Sequence, residues 1–202
     1  MSVFIPTYFS PISQYAAIVN SDEVIFEIED NYQKQTYRNR CFIYGANGKQ
    51  LLNISTKHLT SKDRKKTKDT VIDSSISWQK QHLKSLQTAY KSSPFYEFYE
   101  DDLLPIFSKK HKYLLDLNID TFLFISDALQ ISNQFKKTTE YKEYPKEKDF
   151  RVLANAKKHP IITPLSYIQV FDEKHGFIPN LSILDLLFME GPNAISFLEN
   201  LS

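Results

Sequence analysis

Two arginines two residues apart are the side chains whose spacing most clearly permits chemistry. Arg38 and Arg40 lie in a polar stretch, residues 31–40, that also contains Gln33 and Asn39. On a strand, alternate side chains point to the same face, so we expect the two guanidinium groups to lie side by side. Their planar sets of donors would suit a carboxylate or a phosphate. The alternative is a solvated edge strand whose surface charges pair with one another.

A histidine inside an apolar helical stripe is the candidate for proton transfer. Trp78 and His82 are four residues apart and share one face of a predicted helix with Leu86, Ala89 and Tyr90. Histidine is the side chain whose ordinary pKa lies closest to neutrality, so His82 could act as a general base. The alternative is a core histidine whose hydrogen bonds are satisfied.

Together these residues predict a concave anion-binding cavity with an aromatic rim. One histidine would transfer a proton, polar and cationic side chains would bind an anionic small molecule, and aromatic rings would offer a stacking surface. The predicted catalytic residue is His82. The predicted binding residues are Arg38, Arg40, Asn39 and Gln33, and the predicted stacking residues are Tyr8 and Trp78.

Three further groups could carry chemistry, but their positions favour structural explanations. The acids at residues 100–102 are placed at the start of a predicted helix, where the helix dipole favours negative charge. Ser182 and Asp185 match a helix-capping pattern, in which an acid follows the capping serine by three residues. Cys41 would face away from the two arginines on the same strand, so we predict a buried, unreactive thiol.

Motifs that identify common enzyme classes are absent from the sequence. The chain has only 4 glycines and lacks the cluster that a phosphate-binding loop requires. It also lacks the His-Glu-x-x-His zinc motif and the Gly-x-Ser-x-Gly nucleophile elbow. The 5 histidines are scattered, so the sequence predicts no metal site, and it leaves any cofactor open. These absences exclude the readily recognised nucleoside triphosphatases, dinucleotide oxidoreductases, zinc hydrolases and α/β-hydrolases.

Composition limits the class of protein further. The 202 residues, 42% of them apolar, are enough for one domain with a sizeable core. The formal charge of +1 gives no electrostatic reason to expect a nucleic-acid partner. A single cysteine excludes an intramolecular disulfide and fits a reducing compartment. With neither a signal peptide nor a long apolar run, we expect a cytoplasmic protein without a transmembrane segment, and the oligomeric state stays open.

Strands dominate the first part of the predicted fold. Runs of β-branched and aromatic residues predict strands at residues 3–5, 22–28 and 37–44. A helix at 11–19, with Ser10 as its cap, separates the first two strands and makes a β-α-β unit typical of parallel sheets. An Asn-Gly pair at 47–48 predicts a hairpin after the third strand.

Helices dominate the rest of the predicted fold. Helical periods predict three helices from residue 78 onward and a deeply buried helix after Ser182. Residues 167–171 predict one further strand. We therefore expect the α/β class: a single domain, residues 1–202, with a mixed, partly parallel sheet in the N-terminal half and a helical second half.

Two charged segments interrupt this pattern. Residues 57–64 and 136–149 are rich in lysine and poor in regular periodicity. Neither segment can bury enough apolar area to offset the entropy lost on ordering. We therefore predict that both are mobile or solvent-exposed.

Several segments together resemble the WbqC-like protein family. The similar segments are 8–15, the polar stretch 31–40, Trp78 to His82, Tyr90 with Pro94-Phe95, and 177–188. The Arg-Asn-Arg core of the polar stretch and the Leu-Ser-Ile-Leu-Asp start of the last buried helix are the most specific pieces. Members of this family are often encoded among genes for O-antigen and other surface glycans.

The resemblance implies a role in bacterial surface-polysaccharide biosynthesis of the O-antigen type. One hypothesis is an enzyme, such as a group transferase acting on a nucleotide-linked amino sugar, whose substrate is an anionic small molecule such as a sugar nucleotide. The alternative is a non-catalytic module that binds a small molecule or a partner in the same pathway.

Overall fold

The computed structural model describes residues 1–57, 65–157 and 166–201, in which strands precede most of the helices. The strands are β1 (Ser2–Phe4), β2 (Val24–Phe26), β3 (Arg40–Gly45), β4 (Gly48–Asn53) and β5 (Lys136–Lys137). The α-helices are α1 (Ile12–Val19), α2 (Trp78–Tyr90), α3 (Tyr96–Ser108), α4 (Leu114–Ala128), α5 (Asp172–His175), α6 (Ile183–Glu190) and α7 (Ala194–Glu199). Short 3-10 helices lie at Thr67–Asp69, Lys146–Lys148, Arg151–Ala154 and Gly191–Asn193.

The parallel sheet has the strand order β1-β2-β5, and α1 connects its first two strands. Val3 pairs with Ile25 of β2 and also forms a parallel bridge with Asp149, so these partners occupy the two edges of β1. The chain therefore leaves β1 toward β2 on one side and returns much later on the other side. In open α/β sheets such a divergence leaves a crevice at the carboxyl ends of the strands, where ligands bind.

The antiparallel hairpin joins β3 to β4 and confirms the hairpin predicted from the Asn-Gly pair. Gly45 pairs with Gly48, so the two-residue loop is Ala46-Asn47, one position earlier than the sequence motif suggests. Gly48 then has a φ of +94°, a left-handed conformation that side chains rarely adopt and glycine adopts freely.

One apolar core collects buried side chains from most of these elements. Strands β1 to β4 and helices α1, α2, α3, α4, α6 and α7 all contribute to it. Helix α2 buries the predicted stripe of Trp78, His82, Leu86, Ala89 and Tyr90. Fully burying a large apolar side chain stabilises a fold by about 1.5–3 kcal/mol, so these stripes position the helices.

The predicted fold class is confirmed, with one refinement. The chain has a parallel sheet in its N-terminal half and helices in its second half. The parallel and antiparallel strand pairs form two separate sheets rather than one mixed sheet. That the whole chain forms a single domain stays a prediction.

Two local predictions are wrong. Residues 167–171 form no strand, because the side chains of Tyr167 and Gln169 bind the buried Asp185 and hold the backbone in an irregular path toward α5. The acids at 100–102 lie beyond the first turn of α3, since this helix begins at Tyr96.

The charged segments differ in what the structure describes. Of residues 57–64, only Lys57 lies among the described residues, so the prediction for that segment falls outside them. Most of residues 136–149 are exposed, as predicted. Even so, Lys136–Lys137 pairs with β2, and Thr138 is buried. Across residues 1–57, 65–157 and 166–201, no helix has the length and apolarity needed to cross a membrane.

Candidate functional site

An open cavity of about 600 Å³ lies at the carboxyl end of β1. Its lining begins at Ile5, the first residue after that strand, and continues to the segment that pairs with the opposite edge. The polar residues that matter most are Asp30, Gln33, Arg38, Tyr141, Asp149 and Arg151. We call this space the sheet-edge cavity.

Arg38 lies at this cavity and is held by three acceptors. Its Nη2 donates to Asp30, its Nη1 donates to Thr36 Oγ1 at 3.2 Å, and its Nε donates to Thr67 Oγ1 at 3.3 Å. Thr67 Oγ1 in turn donates to the other Asp30 oxygen at 2.5 Å. Only 3% of Arg38 is exposed, so this buried positive charge depends on the Asp30 carboxylate for its stability.

Arg151 forms a second, more exposed ion pair at the cavity. Its Nε and Nη2 donate to the two oxygens of Asp149 at 2.8 and 2.6 Å, a two-pronged contact that lowers the pKa of this carboxyl. Its Nη1 donates to the Lys142 carbonyl at 3.0 Å and lies 3.5 Å from Glu27 Oε2. The guanidinium carbon also lies 4.8 Å from the ring centre of Tyr141.

Glu27 connects this ion pair to the parallel sheet. It directly follows β2, is fully buried, and accepts hydrogen bonds from Thr138 Oγ1 at 2.9 Å and from the Glu29 amide at 2.8 Å. Thr138 directly follows β5. The carboxyl ends of all three parallel strands therefore supply side chains or backbone to this region of the molecule.

The two arginines of the sheet-edge cavity are paired with carboxylates before any ligand enters. Arg38 is matched by Asp30, and Arg151 by Asp149. Two paired arginines attract a highly charged anion less than two unpaired arginines would. Its exposed groups are planar amide, carboxylate and guanidinium groups and a tyrosine ring, which suit a ligand rich in hydroxyl groups.

The predicted proton-transfer residue lies in the core. His82 is 4% exposed, and its Nδ1 lies 3.0 Å from the Tyr8 hydroxyl. Burial lowers the pKa of His82 to about 4, although a hydrogen bond to the Asn53 backbone opposes this. Tyr8 and Trp78 are also buried and pack around the imidazole ring. This geometry favours the alternative that His82 is a core histidine with satisfied hydrogen bonds.

The predicted common cavity of Arg38, Arg40 and His82 is wrong. Strand β3 begins only at Arg40, and residues 37–39 form a turn, so alternation along a strand does not apply to Arg38. Arg38 and Gln33 line the sheet-edge cavity, while Arg40 and Asn39 line a different one. His82, Tyr8 and Trp78 line neither cavity. The binding and catalytic roles assigned to these residues stay predictions.

The capping interpretation of Asp185 is also wrong, although Ser182 is confirmed as the N-cap of α6. Ser182 Oγ accepts a hydrogen bond from the Leu184 amide at 3.3 Å. Asp185 is fully buried and instead accepts from Tyr90 OH at 2.6 Å, from Tyr167 OH and from Gln169 Nε2 at 2.9 Å. Burial raises the pKa of this carboxyl.

Sequence reasoning missed half of the sheet-edge cavity. Asp149 ends the segment 136–149 that the sequence predicts to be exposed, and Arg151 lies two residues beyond it. Their Asp-x-Arg spacing and the neighbouring tyrosines were an available signal, but nothing local connects them to β1.

Cys41 is buried, and burial raises the pKa of its thiol, which agrees with an unreactive cysteine. Within the described residues, no group of three metal-binding side chains converges.

The fold and the cavity define an α/β protein with a polar cavity at the carboxyl edge of a small parallel sheet. The chain belongs to the WbqC-like protein family, whose model matches residues 6–174. It is similar to the uncharacterized protein Rv1507c of Mycobacterium tuberculosis, with 29% identity over 88% of this chain and 87% of that protein. No solved structure matches the chain at a significant level.

Proposed function

We propose that this chain acts in bacterial surface-polysaccharide biosynthesis and binds a sugar-containing small molecule in the sheet-edge cavity. The main support for this proposal is the position of the cavity. It lies between the carboxyl end of β1 and the segment of Asp149, which pairs with the edge of β1 opposite β2. Connections diverge at this point, and open α/β sheets bind their ligands at such points.

The lining of the cavity supports a sugar as the ligand. Gln33 is exposed, and its amide both donates and accepts hydrogen bonds, as sugar hydroxyls do. Tyr141 is 58% exposed, and its ring can cover an apolar sugar face. Arg38 uses three of its N–H groups on protein acceptors, which leaves others for a ligand oxygen.

The pathway assignment rests on the family. Association of WbqC-like proteins with surface-glycan genes makes an activated sugar the expected small molecule, and a nucleotide-linked amino sugar is the form we propose. The guanidinium groups of Arg38 and Arg151 would face the oxygens of that ligand, and Lys146, which also lines the cavity, would add a flexible positive charge.

Two forms of this function make different chemical demands. A group transferase needs a base that can remove a proton from the acceptor near neutral pH. Asp149 is the half-buried carboxylate that pairs with Arg151, and its lowered pKa makes it a weak base. This observation favours a non-catalytic binding module over the group transferase, which remains the second candidate.

Titration calorimetry with UDP-N-acetylglucosamine, free N-acetylglucosamine and UDP tests the proposal. We expect the two sugar-containing ligands to bind. We expect Gln33→Ala and Tyr141→Ala to weaken binding at least about tenfold, equivalent to about 1.4 kcal/mol. Gln81→Ala, which removes an exposed amide on α2, is the matched control and should bind like the parent protein.

Two results would contradict the proposal. One is the absence of sugar binding by the parent protein, and the other is unchanged binding by both cavity variants. Mass spectrometry of the nucleotide sugar after incubation with the protein and a cell-derived acceptor mixture separates the two forms. Conversion of the donor that is lost in Gln33→Ala supports the transferase, and binding without conversion supports the binding module.

A further inference from the structure

Arg40 lines a second, smaller cavity of about 290 Å³ that the proposed sugar site does not use. We call it the hairpin cavity, because it lies beside the start of β3 and the end of β4. Its polar lining includes Asn39, Arg40, Ser55, Thr56 and Asp73.

The Arg40 guanidinium lacks the partners that Arg38 has. Its Nε is buried and has no hydrogen-bond acceptor, and it forms no ion pair with any residue of the described chain. Arg38, two residues earlier, donates to Asp30, Thr36 and Thr67. A buried donor without an acceptor destabilises a fold, and more so when the donor is charged. Among residues 1–57, 65–157 and 166–201, the fold therefore keeps a donor that has no acceptor.

Asn39 supplies a complementary group beside it. Its Nδ2 donates to the Ile54 carbonyl at 2.8 Å and to Asn53 Oδ1 at 3.2 Å, which fixes the orientation of the amide. Its Oδ1 is buried and accepts no hydrogen bond. Two adjacent residues that line the hairpin cavity thus carry an unmet cationic donor and an unmet acceptor.

We propose that the hairpin cavity is a binding site for an oxyanion, a carboxylate or a phosphate, that carries a hydrogen-bond donor next to its charge. The oxyanion accepts from the Arg40 guanidinium, and the neighbouring hydroxyl or amine of the ligand donates to Asn39 Oδ1. Ser55 and Thr56 line the same space.

Asp73 is the one feature of this lining that opposes an anion. Its Oδ1 accepts from the Ser75 amide at 3.0 Å, and that hydrogen bond lowers the pKa of the carboxyl, with a further contribution from Lys57. Asp73 is therefore held by its own turn and does not pair with Arg40.

This site is independent of the proposed sugar site, since the two cavities share no lining residue. Loss of sugar binding would leave oxyanion binding at Arg40 intact, and the reverse also holds.

The test uses the Nε–Hε resonance of Arg40 in ¹H–¹⁵N spectra of the full chain. Inorganic phosphate and glycolate are the probes, and acetate, which lacks the hydroxyl of glycolate, is the matched probe. We expect the resonance to shift in a saturable way with phosphate and glycolate, and more weakly with acetate. Arg40→Gln should reduce the affinity at least tenfold, measured by the shifts of neighbouring amides.

Thermal melting without ligand separates a binding arginine from a structural one. We expect the melting temperature of Arg40→Gln to equal or exceed that of the parent protein. Arg38→Gln leaves the Asp30 carboxylate without its ion-pair partner and should have a lower melting temperature. Lys91→Gln, an exposed charge removal at the end of α2, should change neither binding nor melting. The proposal is overturned if no probe moves the Arg40 resonance, if Arg40→Gln binds like the parent protein, or if it destabilises as much as Arg38→Gln.

Discussion

At the scale of single residues, burial decides which side chains of this protein can do chemistry. His82 is of the residue type that general bases most often use, yet it is 4% exposed and lies against Tyr8 and Trp78. Burial disfavours the charged imidazolium, which lowers the pKa to about 4 and keeps the ring neutral. His82, whose residue type suggested catalysis, is therefore a neutral side chain of the core.

His82 should make the stability of the protein depend on pH. Its pKa falls from an ordinary value of 6.5 to about 4 in the folded state, so unfolding takes up a proton between these values. Stability is fully present above pH 6.5 and is lost as the pH falls toward 4, by up to about 3 kcal/mol. Urea denaturation at several pH values should show a smaller loss in His82→Gln than in the parent protein. His175→Gln, which replaces an exposed histidine, is the control. If the free energy of unfolding of His82→Gln depends on pH as steeply as that of the parent protein, His82 is not the cause of the dependence.

At the scale of elements, caps come from distant parts of the chain. The predicted cap of α1, Ser10, instead pairs with Thr7 and Gln14, and Pro11 occupies the cap position without a side-chain cap. Asn180 supplies the missing acceptor, because its Oδ1 accepts from the Ser13 amide at 3.0 Å. The start of α1 is thus closed by protein groups rather than left open for a phosphate.

Asn180 should therefore stabilise the first β-α-β unit. Its φ of +53° is left-handed, a conformation that asparagine tolerates better than alanine does. Asn180→Ala removes the acceptor of the Ser13 amide and places an alanine in a left-handed backbone conformation. This substitution should lower the free energy of unfolding by about 1–2 kcal/mol. Asn180→Asp keeps an acceptor of the same shape and serves as the control in urea denaturation. Equal midpoints for the parent and Asn180→Ala would show that α1 does not depend on this contact.

At the scale of the whole molecule, one buried network ties distant segments together. Asp185 of α6 accepts from Tyr90 of α2, from Tyr167 and from Gln169. Tyr90 OH also accepts from the Tyr44 amide of β3 at 2.9 Å. Hairpin, helices and the segment before α5 therefore meet at one carboxyl group, where a polar contact is worth more than it is at the surface.

Removing this carboxyl should destabilise the whole fold. Asp185→Ala leaves the buried hydroxyl groups of Tyr90 and Tyr167 without their acceptor and should lower the free energy of unfolding by about 3 kcal/mol or more. Asp127→Ala removes an exposed carboxyl at the end of α4 and should change stability little. Both variants are compared by urea denaturation. A loss in Asp185→Ala no larger than that in Asp127→Ala would mean that the network is dispensable.

The sequence by itself determined the features that depend on neighbouring residues. The helical stripe from Trp78 to Tyr90, the hairpin after β3, the Ser182 cap and the α/β class all follow from periods, turn residues and caps. These signals are local, because a helix or hairpin is specified by residues only a few positions apart.

Only the tertiary structure decided where the sites lie. The pairing of Val3 with Asp149 brings Arg151 to the cavity of Arg38, and no local pattern contains that pairing. A turn at residues 37–39 separates Arg38 from Arg40, although their spacing suggested one face of a strand. Tyr167 lies in a predicted strand, yet its hydroxyl binds Asp185. Each of these outcomes depends on contacts between distant residues, which outweigh weak local preferences when polar groups must be satisfied in the core.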